Sequence, residues 1–279
     1  MSDRYCVFGN PVGHSRSPAI HAAFAAQCRQ DLMYEAILAP RDGFVDAVRR
    51  FVAGGGRGAS VTVPFKEEAC LVAKRLTDRA KIAGAVNTLV FEGSAVLGDN
   101  TDGYGLLRDL THNLSCQVTG KRVLLLGAGG AARGVIAPLL DTQPAALVVA
   151  NRTAARAHDL AQRVSRADSL GACGYPQLAG QSFDLVINAT SASLGGKLPP
   201  LPEGVFAAGS LAYDMMYGQG RTPFLVFAGR QGAARLVDGL GMLVEQAAEA
   251  FRIWRGMRPD TTPVMAMLRA AEPAPSATQ

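Results

Sequence analysis

The chain has 279 residues, of which 48% are hydrophobic and 18% charged, and its formal net charge is +5. That balance supplies a sizeable core and excludes a disordered chain, and the length accommodates two ordinary domains. The mild positive excess, with no run of five Lys/Arg and only 6% aromatic residues, suits a small anionic ligand better than nucleic acid, and no apolar run approaches the ~18 residues of a membrane span.

In chain order, the first predicted strand covers Tyr5 to Phe8. The loop GNPVGHSRS follows, and Pro18 fits the first turn of a helix running to Cys28. A strand is expected over Tyr34 to Leu38, a helix over Gly43 to Val52, and a strand over Ala59 to Val63 that Pro64 breaks. A helix is expected to begin near Lys66, and a strand over Asn87 to Phe91 leads into LGDNTDGYG, read as a loop. A second series starts at Arg122, with strands at Val123 to Leu126, Leu147 to Ala150, Leu185 to Asn188, Leu211 to Asp214 and Ala234 to Val237, and helices between them. Leu243, Ala247, Phe251 and Trp254 recur at helical spacing in a final long helix, Leu240 to Trp254. The terminal AEPAPSATQ reads as a frayed tail. Such alternation predicts an α/β protein.

Cys6, Cys28, Cys70, Cys116 and Cys173 form no C-x-x-C pair, so neither a metal site nor a disulfide framework is expected. With no signal-peptide pattern at the N-terminus, a reducing, cytoplasmic setting is the expectation.

The segment VLLLGAGGAARG carries the first chemical signal. Gly127, Gly129 and Ala132 fit G-x-G-x-x-G/A between a strand and a helix, a pattern that brings backbone N–H groups to a pyrophosphate. The next strand ends in Asn151-Arg152-Thr153. No acidic residue stands where an NAD-selective site places one on the ribose 2′-hydroxyl. Arg152 and Arg156 stand there, with Thr153 expected as the helix N-cap, and two guanidinium groups suit a 2′-phosphate. NADP(H) is therefore the expected cofactor, and no metal is.

In the N-terminal half, small polar residues sit at strand ends, where open α/β sheets bind ligands: Ser15 and Ser17, then Thr62 and Lys66, then Asn87, and then Asn100 to Asp102. With VFGNPVGHSRSP (7–18), ASVTVPFKEEA (59–69), AGAVNTL (83–89), GDNTDGYG (98–105), GAGGAARG (127–134), NRTAARA (151–157), INATSASLGG (187–196), YDMMYGQGRTPF (213–224) and DGLGMLVEQAA (238–248) in order over nearly the whole chain, the sequence resembles the shikimate dehydrogenase family. The resemblance implies two α/β domains with a cleft between them, the second a Rossmann-type NADP-binding domain. The substrate domain would be discontinuous, 1–103 plus 239–279, with 104–238 binding NADP.

The resemblance further implies that Ser15 and Ser17 bind a substrate carboxylate and that Thr62, Asn87 and Asp102 bind ring hydroxyls. Lys66 and Asp102 would be the catalytic pair, and Tyr217 and Gln246 further substrate contacts. Gly127, Ala128, Gly129, Gly130 and Ala131, with Asn151 to Arg156, would hold the cofactor. The backbones of Met215 and Gly239 would lie near the nicotinamide, and Asp78 matches one more cofactor contact. The family pattern varies at Leu194 and at Leu236-Val237.

Hydride addition to a ketone places negative charge on oxygen, which needs a proton or a cation. Lys66 can supply either, as proton shuttle or as fixed charge. The implied reaction is reversible reduction of 3-dehydroshikimate to shikimate with NADPH. Alternatives are a quinate/shikimate dehydrogenase of broader specificity and a non-catalytic sensor of such ligands. The expected partners are small molecules, not nucleic acid or membrane, and a homodimer is compatible with the pattern.

Overall fold

Strand and helix alternate to build two six-stranded sheets. The computed structural model describes residues 2–93, 95–164, 169–190, 198–218 and 220–271; Leu194 and residues 272–279 of the expected tail lie outside these.

The first half runs β1 (Asp3–Gly9), α1 (Ser17–Cys28), β2 (Leu32–Leu38), α2 (Phe44–Ala53), β3 (Gly56–Val61), α3 (Ala69–Val72), β4 (Arg75–Leu76), α4 (Asp78–Ala83), β5 (Thr88–Glu92) and β6 (Ala95–Asp99). Its sheet has the order β2-β1-β3-β5-β6-β4, parallel from β2 through β3, with β5 antiparallel to both β3 and β6. Phe8, Phe44, Phe51 and Phe65 pack as the core of this lobe.

Helix α5 (Asp102–Arg108), extended by a π-turn over Asp109–Asn113, leads into the second sheet: β7 (Arg122–Leu126), α6 (Gly130–Asp141), β8 (Ala146–Ala150), α7 (Ala154–Val164), β9 (Leu170–Cys173), β10 (Phe183–Asn188), β11 (Phe206–Asp214), α8 (Pro223–Arg230) and β12 (Arg235–Asp238). These strands are all parallel in the order β12-β11-β10-β7-β8-β9. Counted from β7, that is the doubly wound order 3-2-1-4-5-6, whose crevice opens at the strand C-termini where the order reverses. Separate apolar clusters cover its two faces, as a parallel sheet flanked by helices requires. Leu236 and Val237 lie in β12 and join these clusters.

Helix α9 (Leu240–Arg255) then packs on α1 and α5, and α10 (Thr262–Ala270) packs on α9, burying Ile20, Phe24, Val244 and Phe251.

Three differences from the sequence expectation bear on the site. Strand β3 starts at Gly56 and ends at Val61, and residues 63–68 form turns, so helix begins at Ala69 rather than near Lys66. The third difference is that LGDNTDGYG is no loop, for β6 ends at Asp99 and Asp102 opens α5. Its glycines serve close approach instead of turning. A Cβ on Gly98 would lie 2.8 Å from Leu76, and one on Gly103 would overlap Pro138 and lie 2.6 Å from the Gly134 carbonyl. Pro138 has no N–H to give to that carbonyl four residues earlier, so α6 has a notch there that α5 crosses.

Candidate active site

One cavity of about 650 Å³ runs between the C-terminal edges of the two sheets. Its wall includes the segment after β1, the β3–α3 turns, the start of α5, the β7–α6 turn, the start of α7 and the first turns of α9.

At its floor Lys66 Nζ lies 2.5 Å from Asp102 Oδ2, with the two side chains 15% and 5% exposed. The lysine is carried by the turns after β3, and its carbonyl accepts the Val86 N–H at 2.7 Å, which ties the turn to the chain entering β5. Asp102 is the first residue of α5. Its N–H donates to Asn100 Oδ1 at 3.1 Å, and Asn100 Nδ2 donates to the Ala85 carbonyl at 2.8 Å. Asn87 Nδ2 donates to Asp102 Oδ1 and Thr101 Oγ1, both at 2.9 Å, and more loosely to Gln246 Oε1 at 3.3 Å. Both carboxylate oxygens therefore have a donor, as a buried carboxylate requires.

Behind this turn stands a second ionic layer. Arg79 donates to both oxygens of Asp99, at 2.6 and 2.8 Å, and to Glu249 Oε1 at 3.2 Å. Burial alone would raise these two carboxyls; hydrogen bonds from Arg79 and Thr77 outweigh it at Asp99, and those from Arg252 and Arg79 outweigh it at Glu249, so both titrate below their ordinary values. Asp99 also accepts the Asn100 N–H at 2.7 Å. One guanidinium thus joins the turn that presents Asp102 to the helix that presents Gln246.

The nucleotide end is built from backbone. Gly127 has φ +108°, a conformation that side-chain-bearing residues rarely adopt. A Cβ on Gly129 would meet nothing within 4 Å, so no protein packing explains its lack of a side chain, whereas space for a pyrophosphate at the α6 N-terminus does. A Cβ on Gly130 would lie 3.2 Å from the Lys66 Cβ, so this glycine admits the lysine stem against the nucleotide helix. Beyond α6, Arg152 and Arg156 are exposed, and among the described residues neither pairs with a carboxylate. Asn151 Nδ2 donates to the Thr153 carbonyl and braces that loop. The residues present fit a dinucleotide carrying an extra phosphate.

Ser15, Ser17, Thr62, Lys66, Asn87, Asp102, Tyr217, Gln246, Gly127 to Ala131, Asn151, Arg152, Thr153, Arg156, Met215 and Gly239 all line this cavity, and Asn100 and Thr101 stand behind it. Asp78 stands off the cavity wall, in the first turn of α4, with its side chain 94% exposed and Lys81 as its partner at 3.1 Å. The N-terminal charge there serves the helix dipole and an i,i+3 pair. Gly239 lies where a Cβ would overlap the Met215 carbonyl oxygen, so the two backbones touch at the mouth of the crevice. They rest on Asn188 and Asp214, joined at 3.0 Å, with Thr222 donating to Asp214 at 2.6 Å. Sequence reasoning did not find this shelf, nor Ser60, Tyr175, Thr190 and Pro199 on the cavity wall. The quoted INATS and YDMMY stretches held a signal for the shelf, while Tyr175 follows Gly174 with no motif around it.

The arrangement joins a phosphate-binding crevice to a buried amine–carboxylate pair, which defines a dehydrogenase of the dinucleotide-binding α/β class. Residues 7–89 match the shikimate dehydrogenase substrate binding domain, residues 109–195 the shikimate / quinate 5-dehydrogenase family, and residues 239–269 the shikimate 5′-dehydrogenase C-terminal domain. A shikimate dehydrogenase (NADP(+)) of Dechloromonas aromatica (strain RCB) is 67% identical over 97% of this chain and 98% of the relative. The crystal structure of an Ael1 enzyme from Pseudomonas putida, 50% identical, has a TM-score of 0.89 over 96% of this chain and 98% of that one. The shikimate 5-dehydrogenase of Thermus thermophilus, solved in complex with NADP(H) and shikimate, is 32% identical with a TM-score of 0.84 over 96% and 99% of the two chains. This chain belongs to the shikimate dehydrogenase family.

Proposed function

We propose that this chain catalyses the reversible, NADP(H)-linked interconversion of shikimate and 3-dehydroshikimate on the route to chorismate and the aromatic amino acids. The observation that supports this most is the Lys66–Asp102 pair, 2.5 Å apart, with the lysine stem against Gly130 of the nucleotide turn.

NADP, when bound, supplies the hydride acceptor, and its reduced form the donor. The chain supplies everything else. Lys66 holds the proton at the reacting oxygen. Of the three N–H groups of its ammonium form, one is spent on Asp102, which leaves two for the substrate and fixes their direction. Asn87 holds the other Asp102 oxygen, so the carboxylate cannot rotate away from the amine. Thr62 and Asn87 bind ring hydroxyls, Tyr217 and Gln246 wall the ring, and Ser15 with Ser17 at the start of α1 receives the carboxylate. Gly127 to Ala131 take the pyrophosphate, Asn151 to Arg156 take the 2′-phosphate, and the backbones of Met215 and Gly239 border the nicotinamide. Residues 1–103 with 239–279 form the substrate lobe and 104–238 the cofactor lobe. With five free cysteines, the chain is read as a cytoplasmic protein.

The test is spectrophotometric. Purified chain is mixed with shikimate or quinate and with NADP⁺ or NAD⁺, and reduced nicotinamide is followed by its absorbance. The expected result is fast turnover of shikimate with NADP⁺. Equal or better turnover of quinate would recast the chain as a broader dehydrogenase, and binding of both ligands without turnover would make it a sensor.

A further inference from the structure

A buried tyrosine stands behind the serine end of the cavity. Tyr34 lies on β2, at the edge of the first sheet, where part of the residue is exposed; its hydroxyl end is buried and donates to Ser60 Oγ at 2.8 Å. Ser60 belongs to β3 and, like Ser17, is buried and lines the cavity. The ring of Tyr34 is held by His21, stacked on it at 4.2 Å with planes 8° apart. His21 is 1% exposed, and neither ring nitrogen has a hydrogen-bond partner. A buried imidazole without partners is costly unless its face is what the fold uses, and here that face is a platform for Tyr34.

The consequence follows from counting protons. A phenol has one proton and two acceptor sites. Tyr34 gives its proton to Ser60, so the Ser60 proton must turn elsewhere, and the cavity lies on its open side. We infer that Tyr34 is a positioning residue for the anion end of the site: by donating to Ser60, it turns the Ser60 proton toward a bound carboxylate. Ser60 is thereby a third hydroxyl donor beside Ser15 and Ser17. Burial pushes the Tyr34 hydroxyl far above its ordinary value, so it remains a donor at any working pH. The inference rests on the reading above that the serine end receives the substrate carboxylate.

The experiment is a double-mutant cycle with Tyr34→Phe, Ser60→Ala and the pair, read in steady-state kinetics with shikimate and with its methyl ester. One oriented hydrogen bond to an anion corresponds to roughly a 5- to 10-fold change. Each single variant is expected to raise KM for shikimate by about that factor, with kcat and KM for NADP⁺ within about two-fold of wild type. The pair is expected to be no worse than either single variant, and the effect to shrink for the ester, which carries no anion. Should Tyr34→Phe fail to fold, Ser60→Ala against acid and ester carries the test alone. Unchanged KM values, additive losses, or equal effects on acid and ester would overturn the inference. Wild-type turnover separates the two levels: its absence overturns the substrate reading and this inference with it, whereas normal wild-type turnover with unaffected variants overturns only the role of Tyr34.

Discussion

The two ends of the cleft are built from different material. At the nucleotide end, the groups that meet a ligand are backbone N–H groups at the start of α6 and two exposed arginines that pair with no carboxylate among the described residues. At the substrate end they are side chains, none of them fully exposed and anchored in a buried polar network: Asn87 is 3% exposed, Asp102 3% and Thr101 behind them 0%, and each holds its neighbours. A backbone site tolerates change in surrounding side chains. A buried polar network does not, because removing one partner leaves the others unsatisfied. Losses at the nucleotide end should therefore be graded and specific to one ligand group, whereas losses at the substrate end should reach the chemical step or the stability of the fold.

The strongest break of this contrast is Lys66→Ala. It should lower kcat roughly 10²-fold or more while KM for shikimate stays within several-fold, since the amine acts on the reacting oxygen more than on ground-state binding. A fully active variant would remove the lysine from the mechanism.

Stability against acid comes next, from the aromatic support of the substrate lobe. Burial pushes His21 down from 6.5 to about 3. The unfolded chain takes up that proton below pH 6.5 and the folded chain does not. The contribution is therefore whole above pH 6.5 and shrinks as pH falls toward 3. Between pH 6.5 and about pH 4.5 this corresponds to a loss of about 2–3 kcal/mol. Urea unfolding at several pH values should show it in wild type and show a flatter profile in His21→Phe; parallel profiles would mean His21 does not titrate on unfolding.

At the nucleotide end, Arg152→Ala should raise KM for NADPH about 10-fold while leaving NADH within two-fold, since one charge-assisted contact to a phosphate is lost. Equal losses for both would contradict the phosphate assignment. The smallest effect belongs to the pair joining the lobes beside the site, Arg133 and Glu67 at 3.4 Å, with Glu67 56% exposed. Glu67→Gln should change kcat and thermal midpoint little, within about 0.5 kcal/mol of wild type, because exposed ion pairs are screened. A large fall in kcat would show that lobe closure leans on this contact.

The same contrast explains what could be read before folding. Five of the six strands of the doubly wound lobe were legible because each holds a short apolar run bounded by turn residues, and Gly127 and Gly129 because each does one job set by local backbone; β9 (Leu170–Cys173) and the start of β11 at Phe206, which lack such a run, were not. In the first lobe the strands β1 and β2 were equally plain. The segment from β6 into α5 was not, since Gly98, Gly103 and Gly105 look like chain breakers and are in fact contact points where Leu76, Pro138 and Gln246 leave no room for a Cβ. That distinction depends on partners far away in sequence. Asp78 is the converse case, a residue matched through a motif that stands on the exposed first turn of α4, off the cavity wall. The ionic layer of Arg79, Asp99 and Glu249 was invisible for the same reason: Glu249 lies 170 positions from Arg79 and meets it only through the return of α9.

The most direct measurement of the central claim is a crystal structure of the chain with shikimate and NADP⁺ bound together. The account predicts Lys66 Nζ within about 3.2 Å of the ring oxygen to be oxidised, still paired with Asp102, and the nicotinamide on the adjacent carbon. A ring turned so that this oxygen meets neither side chain, or a nicotinamide directed away from the pair, would contradict it.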